Sequence, residues 1–332
     1  MPAAQIVDCV RFMPERVVSN AGLIAESDRE AAVQDDPFFR GVRERRFASP
    51  DYTSAQLGAL ATRELFARTG TRPESVDVVI TSCVLTDLLA NGIGAAVQHM
   101  VGASRATMIN VDTNCTSYLS SLNVARAFIE SGMAKTVVVV TVTNFISRMP
   151  EYQRSRSSWV LGDGASATLM TAGTRSILSS HERSLGQNYG LLLLESEQVG
   201  GVQKAYWEGG GGPLTVNFAP DLLDNIRENA TELLPDAVKR CIADAGLTPD
   251  DIAMLITHQP NELFLAAWRE RIGIGPPRAF DTLDHYGNLF MGSIPVTLAE
   301  AIELGKIRRG DVLAFGTFAN GGDFVSAMVV RW

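Results

Sequence analysis

The strongest constraint on the fold is an alternation of continuous apolar runs with amphipathic ones. Residues 77–83 (Asp-Val-Val-Ile-Thr-Ser-Cys) and 135–143 lack the every-second-residue pattern of a half-exposed strand. Each therefore reads as a strand buried on both faces. Helices are predicted at 54–69, where Leu57, Leu60, Ala61 and Leu65 share one face, and at 91–101. Further strands are predicted at 4–12, 106–111 (short and buried) and 165–171. The last is entered by the tight turn Leu161-Gly162-Asp163-Gly164. A helix from Leu119 to Gly132 follows the strand at 106–111. The order β-α-β-α-β-α-β-β then recurs. Strands are predicted at 175–181, 252–257, 279–281, 311–316 and 324–331, and helices at 221–245, 261–272 and 293–304. Residues 191–220, with Gly209-Gly210-Gly211-Gly212, read as an irregular loop. The repeat implies two halves, 1–172 and 173–332, built as parallel sheets covered by helices.

Composition narrows the function. The chain is 46% hydrophobic and carries a net charge of −8. It can bury a large core, and it lacks the basic balance of a nucleic-acid binder. Cys9, Cys83, Cys115 and Cys241 are scattered, with no CxxC pair, so neither a zinc site nor a disulfide framework is expected. The first residues lack the basic start and apolar core of a signal peptide. No apolar run approaches the roughly 20 residues needed to cross a bilayer. A cytoplasmic protein without membrane contact is the expectation.

Three positions could carry chemistry. Cys115 follows the strand 106–111 and precedes a helix, so it falls near a helix N-terminus. Unpaired N–H groups and the helix dipole there favour negative charge. A thiol at that corner is expected to lean toward the nucleophilic thiolate, although a lone free Cys is more often a small core hydrophobe. His258 closes the apolar strand 252–257 and precedes a helix. A polar residue at the C-terminal end of a parallel strand is a frequent site position. Asn288 lies in the loop before the helix 293–304; alone it reads as a turn residue after Gly287. His285, in the same loop, competes with His258. His99 and His181 read as structural or surface residues.

Taken in order, these segments resemble the β-ketoacyl-acyl-carrier-protein synthase III family of the thiolase superfamily. Residues 41–46 (Gly-Val-Arg-Glu-Arg-Arg) resemble its Gly-Ile-Arg-Glu-Arg segment, and Cys115 matches its nucleophile. Gly162-Asp163-Gly164-Ala165-Ser166-Ala167 resembles its Gly-Asp-Gly-Ala-Gly-Ala turn, and His258-Gln259-Pro260-Asn261 its His-Gln-Ala-Asn. Tyr286-Gly287-Asn288 with Ser293-Ile294-Pro295, and the closing Gly321-Gly322, complete the pattern. The resemblance implies a thiolase-like α/β fold: two pseudo-repeated βαβαβαββ halves forming a five-layered αβαβα core. It implies a condensing acyltransferase with Cys115, His258 and Asn288 as catalytic residues and the N–H groups of Cys115 and Gly321 as an oxyanion hole. It further implies acyl-carrier-protein or coenzyme A thioesters as substrates, no metal or other cofactor, and a homodimer.

The departures from the family pattern shape the finer expectations. Where fatty-acid members stack coenzyme A between a Trp and an Arg, this chain has Asp35 and Ser155. Leu289-Phe290-Met291-Gly292 replaces small polar residues after Asn288. Both fit a natural-product relative, such as one in polyketide biosynthesis, with a different acyl group. No Glu stands near Thr81-Ser82-Cys83, where the olefin-forming branch carries an acid. Arg40, Arg43, Arg45, Arg154 and Arg156, with Arg46, are the candidate basic face for an acidic carrier. Leu89 and Phe290 are candidate substrate contacts, with 86–91 reaching toward a partner's acyl tunnel. Two other functions remain: a non-decarboxylating acyltransferase making an ester or amide, and a catalytically silent partner subunit.

Overall fold

A computed structural model describes residues 2–27, 40–88, 90–144, 149, 160–205, 207–218 and 230–332. Two sheets organise them. The first contains β1 (Ala3–Phe12), β4 (Val78–Cys83), β5 (Thr107–Asn110), β6 (Thr136–Thr143) and β7 (Gly164–Gly173), in the order β1-β7-β6-β4-β5. The second contains β8 (Ile177–Ser184), β11 (Met254–Thr257), β12 (Val312–Ala319) and β13 (Phe324–Arg331), in the order β11-β12-β13-β8. Helices α4 (Ser117–Glu130) and α8 (Ser293–Glu303) pack against strands of both sheets and form the central layer. Helices α2 (Ser54–Thr69) and α3 (Gly94–Val101) lie on the first sheet. Helix α5 (Thr231–Asp244) lies on the second, with α6 (Glu262–Ile272) against α5. The result is the five-layered αβαβα sandwich of a thiolase-like fold.

Local signals explain the elements that matter. Helix α2 begins at a capping box, in which Thr53 and Gln56 satisfy each other's backbone N–H groups. It ends at Gly70 in the left-handed conformation. Helix α6 is capped by the Asn261 side chain, which accepts from Phe264 N–H at 3.1 Å. Helix α8 is buried along most of its length, as a layer between two sheets must be.

Three sequence expectations need correction. The sheets are mixed: β7 runs antiparallel to β6 and β1, and β13 antiparallel to β12 and β8. β5 is not a buried strand but an edge strand with most of its residues exposed. Residues 191–220 include a hairpin, with β9 (Leu192–Ser196) pairing antiparallel with β10 (Leu214–Phe218) across the glycine-rich stretch. The expected helix 221–245 is described from Thr231 onward, its earlier part lying outside the described residues. Finally, α1 (Asn20–Ser27) follows β2 (Arg16–Ser19), which pairs with β3 (Glu44–Phe47).

One crossing of backbones fixes the catalytic end of the fold. Gly162 passes so close under α7 (Leu283–Tyr286) that a Cβ there would lie 2.2 Å from the Tyr286 carbonyl oxygen. Gly162→Ala is expected to lower stability by about 1–3 kcal/mol, the usual cost of overpacking. A urea unfolding midpoint equal to the parent's would show that the crossing relaxes freely.

Candidate active site

Cys115 sits in a single 3-10 turn, Asn114–Thr116, that leads directly into α4. The turn is built from its own side chains. Thr116 Oγ1 donates to the Thr113 carbonyl at 2.7 Å, and Ser117 Oγ to the Asn114 carbonyl at 2.7 Å. Asn114 adopts φ 50°, a left-handed conformation that Asn tolerates better than most residues. The strand-to-helix corner read from the sequence is therefore present.

Its electrostatics differ from the sequence expectation. Burial pushes the Cys115 thiol up to about 12. The carboxylates of Asp323 and Asp112 push the same way, and the residue's own N–H only partly opposes them. The helix terminus is worth about 0.3–1 kcal/mol, less than one pKa unit at 1.36 kcal/mol each. Desolvation of a buried group is worth several units. The resting Cys115 side chain is a neutral thiol.

His258 follows β11, and its backbone N–H continues the ladder to the Gly316 carbonyl at 2.8 Å. The ring is buried and meets Phe318 edge-on, with centroids 5.9 Å apart; Phe318 also packs on Trp268 and Phe264. This apolar corner lowers the imidazole to about 4, chiefly by burial, with the Phe290 carbonyl pulling weakly the other way. His258 is thus neutral at physiological pH, able to donate from one nitrogen and accept at the other.

Asn288 is clamped by backbone. Its N–H donates to the Val160 carbonyl at 2.6 Å, and its carbonyl accepts from Gly162 N–H at 3.2 Å. Its side-chain Oδ1 accepts from Phe290 N–H at 2.8 Å. That bond orients the amide and leaves the Nδ2 hydrogens for another partner. The bond from Oδ1 to the N–H two residues on is an Asx turn, as the turn reading of Asn288 expects, and the backbone bonds to Val160 and Gly162 are added to it.

These groups are brought together by β12. Thr317 Oγ1 donates to the Cys115 carbonyl at 3.1 Å. Gly316 receives His258, and the strand ends in the turn that carries Gly321. In that turn Gly322 and Asp323 N–H groups return to the Ala319 carbonyl, a pattern that does not use the N–H of Gly321. The 3-10 turn Phe290–Gly292, just after Asn288, packs against the Cys115 turn.

The other sequence candidates separate. Arg40 and Arg43 are exposed, as a docking face requires, and Arg43 pairs with Asp284. Arg45 must be withdrawn as a carrier contact. It is 1% exposed and donates to the Val18 carbonyl and Asn20 Oδ1, tying β2 to β3 from inside. The alternation of β3 turns Arg45 and Phe47 inward and sends Glu44 and Arg46 to the other face, while Arg43, which precedes the strand, is exposed. Arg154, Arg156, Leu89, Asp35 and Ser155 lie outside the described residues. Phe290 is half-buried and packs into the core beside the site. His285 faces Asp284 and Glu300.

Sequence reasoning missed a pattern that the backbone makes plain. Among the described residues, Asn114, Phe290 and Asn320 alone of the non-glycines have positive φ, at 50°, 48° and 45°. Asn114 adjoins Cys115, Phe290 lies two residues beyond Asn288, and Asn320 adjoins Gly321. Strained backbone gathers where a site needs pre-set geometry. The two asparagines were a usable signal; nothing marked Phe290. Asp323 was also missed as a charge acting on the thiol.

The comparisons with known proteins agree with this fold. Two family models match, the 3-oxoacyl-[acyl-carrier-protein] synthase III model over residues 109–186 and its C-terminal model over 242–332. A β-ketoacyl-[acyl-carrier-protein] synthase III of Roseiflexus castenholzii is 31% identical, covering 96% of this chain and 95% of that protein. The crystal structure of the synthase III from Thermus thermophilus superposes with a TM-score of 0.84 at 28% identity, covering 98% of each chain. The priming β-ketosynthase of the R1128 polyketide pathway superposes with a TM-score of 0.87 at 22% identity, covering 99% of this chain and 96% of that one. The class is that of the thiolase-fold acyltransferases. Within it, the chain belongs to the β-ketoacyl-acyl-carrier-protein synthase III family.

A neutral resting thiol has a direct signature. Alkylation of Cys115 by iodoacetamide should be slow at neutral pH and rise about tenfold per pH unit, since the thiolate fraction does. Cys115→Ala supplies the background from Cys83. A rate already flat near pH 7 would show a preformed thiolate.

Proposed function

We propose that the protein is a decarboxylating condensing enzyme in which Cys115, His258 and Asn288 act in two half-reactions. In the first, Cys115 Sγ attacks the carbonyl of an acyl thioester. The bond from carbon to the donor's sulfur breaks, and the thiol proton leaves with the donor as its free thiol. Neutral His258 is the group suited to relay that proton. The N–H groups of Cys115 and Gly321 are the donors for the tetrahedral oxyanion.

In the second half-reaction a malonyl thioester loses carbon dioxide. The electron pair of the broken C–C bond becomes an enolate, whose oxygen needs two donors. The observation that carries this reading is Asn288 Oδ1 held by Phe290 N–H, which commits the amide to donate. His258, lowered to about 4 by burial, is a neutral second donor. The carbanion then attacks the acyl-Cys115 carbonyl, the bond from that carbon to Sγ breaks, a β-keto thioester leaves, and the departing thiolate takes one proton from solvent to restore the thiol.

The substrates we assign are coenzyme A or carrier-protein thioesters, with Arg40 and Arg43 facing an acidic carrier. The replaced residues Asp35, Ser155 and 289–292 support an acyl group other than acetyl and a role in natural-product biosynthesis. A homodimer is supported by the exposed edge strand β5, where Met108 is 41% exposed. An unpaired edge of this kind invites pairing with a second copy.

The test is to load Cys115 from a panel of acyl thioesters, record intact mass, then add malonyl-carrier protein. Loss of the adduct with release of carbon dioxide and a β-keto product is expected. An adduct that only an alcohol or amine discharges would make the protein an ester- or amide-forming acyltransferase. Failure of any thioester to acylate Cys115 would make it a silent subunit. Asn288→Ala should still acylate but decarboxylate about 10²–10³-fold more slowly, the usual cost of one oxyanion donor. Arg40→Glu should raise KM for a carrier-bound donor and leave a small thioester unaffected; equal effects would remove Arg40 from the docking face.

A further inference from the structure

The loop that carries Asn288 is reached through α7, and α7 holds a chain of charges that neither half-reaction uses. His285 lies between two carboxylates. Its Nε2 faces Glu300 Oε1 on α8 at 2.9 Å, and its Nδ1 is hydrogen-bonded to Asp284 Oδ1. Glu300 also meets Arg11 of β1 at 3.0 Å, and Asp284 pairs with Arg43. Tyr286 covers the ring at a centroid distance of 4.2 Å and shares Glu300, with Arg11 over its own ring at 5.7 Å. These are the charged and titratable groups that face His285, from its own helix, α8, β1 and the segment before β3.

Ionised carboxylates only accept hydrogen bonds. A ring whose two nitrogens both face carboxylates is satisfied on both sides only when it carries both protons. Burial opposes that charge, but the bonds to Glu300 and Asp284 outweigh it and hold the pKa above the ordinary value. The contribution of the charge is complete below about pH 6.5, the ordinary histidine value, and is lost as pH rises through the raised one.

The mechanical link to Asn288 is short. Gly287 follows α7 with φ 69°, and a Cβ there would lie 2.5 Å from the Val160 carbonyl oxygen that Asn288 N–H uses. A shift of α7 therefore presses directly on the backbone clamp of Asn288. We propose that His285, as the cation shared by Asp284 and Glu300, is a positioning residue that sets Asn288 for decarboxylation and gives that step a pH limit on the alkaline side. The proposal rests on Asn288 being a donor in decarboxylation, and the experiment separates the two.

Malonyl decarboxylation and Cys115 acylation are measured on the full chain from about pH 6 to about pH 9, the range in which histidine charge is decided. The variants are His285→Lys, His285→Gln and Asn288→Ala. Lysine stays charged across this range, with an ordinary pKa near 10.4. The parent's decarboxylation should fall with rising pH. His285→Lys should flatten that fall. His285→Gln should lie about tenfold below the parent at low pH and show no fall; an ångström of misplacement costs up to roughly a hundredfold. Acylation should match the parent in both. A His285→Lys profile that falls like the parent's overturns the proposal, as does equal slowing of acylation and decarboxylation in both variants. If Asn288→Ala decarboxylates like the parent, the reading of Asn288 fails first. If it is inactive while both His285 variants track the parent, only this inference fails.

Discussion

The hydrogen bond from Thr317 to the Cys115 carbonyl joins the two halves of the molecule at the point where chemistry must occur. Cys115 belongs to the first half and β12 to the second. The same strand holds His258 through Gly316, presents Phe318 against the imidazole, and ends in the turn of Gly321. One strand thus sets Cys115, His258 and the Gly321 turn against each other. Asn288 is added from the side by a second backbone clamp, between Val160 and Gly162. Displacement of β12 would misplace three groups at once.

The protonation pattern follows from desolvation at this junction, where His258 is buried and Cys115 half-buried. The same desolvation that pushes Cys115 up to about 12 lowers His258 to about 4. A resting thiolate–imidazolium pair is therefore strongly disfavoured. A neutral thiol with a neutral imidazole is the pairing that the proposed two half-reactions call for. By contrast, His285 is surrounded by carboxylates that overcome its burial. Two histidines of one fold are driven in opposite directions, His258 by burial and His285 by its carboxylate partners.

Much of the fold was legible in the chain. The apolar continuity of 77–83 and 135–143 marked central strands, and α2 begins and ends where its capping residues say. The β9–β10 hairpin was not legible, because its two strands are separated by a glycine-rich stretch and pair only with each other. The exposure of β5 was not legible either. Its apolar Met108 and Ile109 suggest burial, while its place at the sheet edge depends on the order of the other strands.

Sequence alone determined the residue types of the site and the corners that hold them: a Cys between strand and helix, a His at a strand end, an Asn after a glycine. Local steric and capping rules are enough for that, because they act over a few residues. Tertiary structure decided what those residues are chemically. Burial made the thiol neutral, a backbone N–H from Phe290 took up Asn288 Oδ1 and left Nδ2 as the amide's donor, and strand alternation sent Arg45 inward while Glu44 and Arg46 took the other face. Solvent exclusion and the direction of a hydrogen bond depend on groups far apart in the chain, so only folding could set them.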